Sequence, residues 1–186
     1  MSRRIIKDKK INPKIYIFCE GESENVYIQF LKTKFRLPVQ VVTKVTKNKI
    51  STKLLKSNIN SSEKHEKDRV FLMYDIDVEG FLEKLQEISK HVNCDLLISN
   101  PCIELWFLLH YINQNSEISS NNCIQKIETF ISGYKKGTIC NKLKKKLDEN
   151  GAEAKKRASK LTSFKNPSTT IYQLIDYFEN IIINNK

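Results

Sequence analysis

The run Ile15-Tyr16-Ile17-Phe18-Cys19 is apolar throughout and stops at Glu20-Gly21-Glu22-Ser23-Glu24. A second run, Val70-Phe71-Leu72-Met73-Tyr74, stops at Asp75-Ile76-Asp77. Short continuous apolar runs of this kind predict strands buried on both faces in the middle of a sheet. Between them, Val26, Tyr27, Phe30 and Leu31 recur at helical spacing, with Gly21 for a tight turn and Ser23 as the helix cap. Pro38 ends that helix, and the β-branched stretch Val39–Val45 predicts another strand. Ile50, Leu54, Leu55 and Ile59 mark a second helix; Phe81, Leu82, Leu85, Ile88 and Val92 mark a third. Asp95-Leu96-Leu97-Ile98-Ser99 predicts the fourth strand.

Strands alternating with helices predict a parallel sheet with right-handed crossovers. From Asn100 onward the pattern predicts only helices, near 101–112, 120–132, 138–149, 152–161 and 169–183. Asn100 is placed as the cap of the first, with Pro101 at its first helical position. Ser168 or Thr169 is placed as the cap of the last. The fold class is α/β: a small, mainly parallel, Rossmann-like sheet with a helical C-terminal half. A basic arm over 1–13 precedes an α/β core over 14–112, and a helical extension over 113–186 packs on that core as one compact domain.

With 186 residues and 40% hydrophobic content, the chain has enough apolar material for a core without disulfides or structural metal. Its five cysteines include no C-x-x-C pair, which fits a reduced cytoplasmic protein rather than a disulfide framework or a zinc site. The basic start lacks an apolar signal-peptide core. The longest apolar stretch, Leu105 to Ile112, is too short for a bilayer, so no membrane association is expected.

The formal net charge of +11 is unevenly spread. Arg3, Arg4, Lys7, Lys9, Lys10 and Lys14 precede the first strand. Residues 135–160 carry ten basic against three acidic side chains. Among these, Lys135, Lys136, Lys142, Lys144, Lys145 and Lys146 are candidates for holding nucleic-acid phosphates, with Tyr134 beside them as a candidate for stacking on a base. The competing reading is an ordinary solvated surface, with Tyr134 in the core.

If the strands are parallel, Glu20, Asp75 and Asp77 leave the sheet at one carboxyl edge, where open α/β sheets bind ligands. Asp75 and Asp77 alternate with Ile76, so an extended strand end turns both the same way. Two or three carboxylates suffice for Mg2+ or Mn2+, which keeps several waters. Glu20 is a third ligand or a base toward water, and the turn after it lets a phosphate approach the next helix. The plainer alternative makes each acid a helix cap, or a dipole partner in the case of Glu22 and Glu24. Glu104 falls in an otherwise apolar helix and so needs a cation or a polar partner. His110 is read as packed and bonded to backbone, and Trp106 as core.

Strand-Glu-Gly followed by strand-Asp-x-Asp resembles the Toprim fold. The segments Cys19-Glu20-Gly21-Glu22-Ser23-Glu24-Asn25-Val26-Tyr27, Ser99 to Tyr111 and Asn166-Pro167-Ser168-Thr169-Thr170 together resemble the RloB family, which includes AbiLii-like abortive-infection proteins. The resemblance runs from about Lys14 to the last helix. It implies a magnesium-dependent Toprim-type nuclease of bacterial phage defence, acting beside an ATPase of ABC or AAA type. It further implies Glu20 as the catalytic glutamate and Asp75 and Asp77 as the metal pair. Glu104 is carried as a fourth candidate for the site. Two other readings stand beside this one: a non-catalytic sensor or adaptor of the ATPase, and a haloacid-dehalogenase-like phosphatase with Asp75 as nucleophile. The phosphatase reading lacks the later acidic pair such enzymes need. Substrate type and oligomeric state, a homo-oligomer included, stay open.

Overall fold

The computed structural model describes residues 13–61 and 65–184, so the basic arm, apart from Pro13, lies outside the described residues. Five strands form one sheet: β1 (Lys14–Cys19), β2 (Gln40–Val45), β3 (Arg69–Asp75), β4 (Asp95–Asn100) and β5 (Ser168–Thr169). Their order is β2-β1-β3-β4-β5, parallel except for the antiparallel β5. Eight α-helices are described: α1 (Glu22–Phe35), α2 (Thr52–Ile59), α3 (Phe81–Val92), α4 (Glu104–Leu109), α5 (Ser120–Phe130), α6 (Asn141–Glu149), α7 (Gly151–Ala158) and α8 (Tyr172–Asn184).

Strand alternation divides the core in two. Ile15, Ile17, Cys19, Phe71, Met73 and Leu97 face one side, where they meet α1 and the C-terminal helices through Tyr27, Leu31, Trp106, Ile127, Leu143 and Phe178. Tyr16, Phe18, Leu72, Tyr74 and Ile98 face the other, against Leu55 of α2 and Leu85 and Ile88 of α3. The helix after β1 therefore covers one face, while the helix after β3 covers the opposite one. Since β1 and β3 are neighbours, the chain reverses its winding between them. A crevice at the carboxyl ends of such a strand pair is where doubly wound sheets place their ligands.

Three expectations about segment ends are corrected. Asn100 does not cap a helix, because it stays in β4 opposite Ser168 and its side-chain amide donates to the Phe164 carbonyl at 3.0 Å. The next helix consequently starts only at Glu104, and Pro101 lies outside it, joined to Asn100 by a cis peptide bond. Ser168 and Thr169 do not cap the last helix, because they extend the sheet as β5, and α8 begins at Tyr172. Thr170 completes that edge: its Oγ1 accepts from the Ile98 amide at 2.8 Å. Ser23 is not the cap of α1, which is Gly21.

The short helix α4 is buried along its whole length. Trp106 is fully buried, and its indole Nε1–H donates to the Tyr27 hydroxyl at 2.7 Å, fixing α4 to α1. His110 is 1% exposed, with its Nδ1 at 2.8 Å from the Trp106 carbonyl. Burial pushes the imidazole down to about 4, and the charges of Lys34, Arg157 and Lys146 act in the same direction. In the unfolded chain the same group titrates near 6.5. Between those values the unfolded state binds the extra proton, so this histidine opposes folding increasingly as pH falls from about 6.5 toward 4. Denaturant titrations of the wild type and of His110→Gln across this window should differ in slope, with a limit of about 3 kcal/mol for the wild-type term. Parallel curves would show that the histidine is not held neutral.

Candidate functional site

β1 ends at Cys19 and its hydrogen bonding continues one residue further, the Glu20 amide donating to the Met73 carbonyl at 3.2 Å. This fixes Glu20 beside the end of β3, where its Oε2 accepts from the Asp75 amide at 3.3 Å. Asp75 is the last residue of β3, paired in register with Ser99, and is only 8% exposed. Gly21 turns the chain into α1. Glu24, at the third helical position, bends back so that its Oε2 accepts from the Gly21 amide at 2.9 Å.

Beneath these groups lies Glu104, the first residue of α4, with no exposed surface. Its Oε1 accepts from the Ser23 hydroxyl at 3.0 Å and the Tyr134 hydroxyl at 3.4 Å. Its Oε2 is buried and has no hydrogen-bond partner among the described residues. The Ser23 Oγ in turn accepts from the Gly137 amide at 3.0 Å. A loop from the C-terminal half is thereby fixed on the first turn of α1. Glu20, Glu24, Asp75, Ser23, Lys136 and Gly137 line an open pocket of 270 Å³.

The electrostatics reflect crowding of like charge. Asp75 is held well above the ordinary carboxyl range, first by burial, then by the fields of Glu24, Glu104 and Glu20. Burial is also the first cause of the rise of Glu24 to about 6, with Glu104 and Glu20 adding to it. Glu20 is raised by burial and by Asp77, against the pull of the Asp75 amide and of Lys136. Burial works to lower the Lys136 ammonium, but the charges of Glu104 and Asp75 outweigh it and raise the group.

The structure brings Glu20, Asp75, Glu104 and Lys136 of the expected residues to one place. Asp77 follows the last residue of β3 by two positions, is exposed and stands outside the pocket lining, although its charge is felt at Glu20. The other lysines differ in their partners. Lys142 donates to the Phe130 carbonyl at 2.6 Å, and Lys146 lies 5.3 Å over the Tyr111 ring. Lys145 pairs with Glu149 at 3.7 Å, while Lys144 and Lys135 are exposed. Tyr134 is 5% exposed with its hydroxyl on Glu104, so it serves the core and the acid rather than a base.

Sequence reasoning assigned Ser23 and Glu24 to capping and helix-dipole roles and passed over Gly137. The available signal for Glu24 was its place three residues after Gly21, from which a carboxylate can reach back to the turn.

Among the described residues, no group of three or more His, Cys, Asp or Glu side chains stands ready-made as a metal-binding set. The chemistry of the donors nevertheless fits a hard cation. They are all oxygens, they raise one another's proton affinity, and one buried oxygen of Glu104 has no protein partner. Magnesium keeps part of its water shell, so carboxylates that reach it through water need not already be in contact.

A doubly wound α/β protein with an acidic pocket at its winding reversal is the class these observations define. A family model described as RloB-like protein matches residues 15–178, and the chain belongs to that family. No curated protein and no solved structure matches it. No helix among the described residues is long and apolar enough to cross a membrane.

A cation-free cluster of raised carboxylates favours folding below about pH 4.5 and loses that contribution as pH rises through the folded values, Glu24 near 6 among them. A divalent cation should reverse the loss. Added magnesium or manganese should raise the melting temperature clearly at pH 8 and hardly at pH 5. An equal shift at both values, or none at either, would contradict a cation at these acids.

Proposed function

We propose that the chain is a metal-dependent nuclease that hydrolyses phosphodiester bonds of nucleic acid. The observation that carries this reading is the convergence of Glu20, Glu24, Asp75 and Glu104 with the Lys136 ammonium at the carboxyl ends of β1 and β3. An acidic pocket in a chain of formal net charge +11 suits a polyanionic substrate whose reacting phosphate is reached through a cation. Asp75, Glu20 and Glu24 would hold magnesium or manganese, with Asp77 joining from the rim and Glu104 from below. Bound there, the ion would offset charge on the phosphate and acidify a water.

The remaining steps belong to the chain's own groups. Glu20 is the most accessible of the four clustered carboxylates, and the oxygen it does not give to the cation can take a proton from the attacking water. Lys136 can meet a non-bridging phosphate oxygen and steady the charge that develops there. Ser23, Tyr134 and the Gly137 amide position Glu104 and the loop that carries Lys136. Family membership supports the wider setting, a bacterial abortive-infection system against phage with an ABC-type or AAA-type ATPase as partner.

The second reading, a non-catalytic sensor or adaptor of that ATPase, draws on the lack of a ready-made metal set among the described residues. The two readings separate on purified protein. With magnesium or manganese and the neighbouring ATPase present, the wild type should cut RNA or DNA. Glu20→Gln and Asp75→Asn should each lower cleavage at least about a hundredfold while remaining folded. Asp77→Asn, at the rim, should cut at a raised cation requirement. Cleavage retained in both Glu20→Gln and Asp75→Asn would remove the mechanism, and no cleavage by the wild type would favour the adaptor.

A further inference from the structure

The carboxylate pocket, at 270 Å³, is lined by four acids, a lysine, a serine and two glycines, and so presents no aromatic or aliphatic side chain to a nucleobase. A second pocket of 560 Å³, about twice that size, opens next to it along α1. Its floor is apolar, made by Val26 and Phe30 of α1 and by Ile139, two residues beyond Gly137. Gln29, Thr33 and Lys144 stand around it, and the ion pair of Lys34 with Asp148, at 2.8 Å, closes the far side. The volume lies within the range of about 300–1,000 Å³ typical of small-molecule sites.

Two features connect this pocket to the acids. First, Glu22 and Gly137 both line the carboxylate pocket and lie close together: a Cβ built on Gly137 would be 3.6 Å from the Glu22 Cγ, and Ile139 follows Gly137 by two residues. Second, Val26 follows Glu22 by one helical turn, about 6 Å along the axis, and Phe30 follows by another. A phosphate at the carboxylates and a base over Val26 and Phe30 are thus about 6 to 12 Å apart along α1, within the reach of one strand over one or two nucleotides. The half-buried Phe30 ring presents an aromatic surface, while Gln29 supplies an amide that can both donate and accept. Lys144 is an exposed cation at the rim, in a segment with a local excess of seven positive charges.

We infer that the groove formed by Val26, Phe30 and Ile139 is a nucleobase subsite, holding an unpaired base of a single-stranded nucleic acid whose neighbouring phosphate lies at the carboxylates. This rests on the nucleolytic reading and deepens it, by making the substrate a strand with at least one base unstacked beside the cut. The alternative occupant, an acidic protein segment, has the same rim charge available but no use for the continuity with the catalytic pocket.

The test measures binding without chemistry. Short fluorescent single-stranded RNA and DNA are titrated with the full chain in chelator, and one position at a time is replaced by an abasic nucleotide. One abasic position should weaken binding at least about fivefold. A 4-thiouridine at that position should photocrosslink to Phe30, Val26 or Ile139. Thr33→Trp, made at an exposed position where it fills the groove without disturbing the core, should weaken the intact strand by about the same factor and leave the abasic strand unaffected. Affinity indifferent to every abasic position, with Thr33→Trp silent, would overturn the subsite while leaving the hydrolytic reading intact. Base-dependent binding without cleavage under any divalent condition would do the reverse. No binding of either nucleic acid, with an acidic peptide bound instead, would overturn the subsite in favour of a protein-docking groove.

Discussion

Carboxylates that repel one another are held together at the end of β1 and β3, and backbone amides and buried hydroxyls are what hold them. Glu20 is tied to the Asp75 amide, Glu24 to the Gly21 amide, and Glu104 to the hydroxyls of Ser23 and Tyr134. Each hydrogen bond offsets part of the cost of placing an acid out of water beside others. None removes the burial or the mutual field, and burial first, the field second, keeps the protons of Asp75 and Glu24 on to higher pH than usual. The arrangement opposes ionisation of these acids, and a bound cation would offset that opposition.

Much of the remaining fold can be understood as support for that crowding. The winding reversal between β1 and β3 opens the crevice, and the Trp106–Tyr27 bond fixes α4 against α1 so that Glu104 lies under Ser23. The C-terminal half contributes through one loop. Gly137 docks on Ser23, which brings Lys136 over the acids as the compensating cation. Helices that look like an appendage in the chain order are therefore structurally part of the pocket.

What could be read in the amino-acid order follows from which contacts are local. The central strands and their acidic ends were legible because burial on both faces leaves an apolar run with a sharp polar stop, and Glu20 and Asp75 are those stops. Glu104 was legible as a lone charge in an apolar helix. Asp77 was grouped with Asp75 by strand alternation, but β3 ends at Asp75, Ile76 stays buried, and the chain becomes exposed at Asp77. β5 was invisible because two residues carry no periodicity; β4 alone makes them a strand. Ser23 followed a capping pattern that Gly21 in fact satisfies, and its true partner lies 81 residues away. Within the lysine run at 142–146, Leu143 turns inward with Leu147 one turn on, so the helical period sets the lysines on the remaining sides of α6.

The central claim is that these acids share a divalent cation, and diffraction at the manganese edge tests it without reference to activity. Crystals soaked in manganese should give an anomalous peak within reach of Asp75 and Glu20, with Glu24 or Glu104 completing the oxygen set. A clean map with no peak there at saturating manganese would contradict the account.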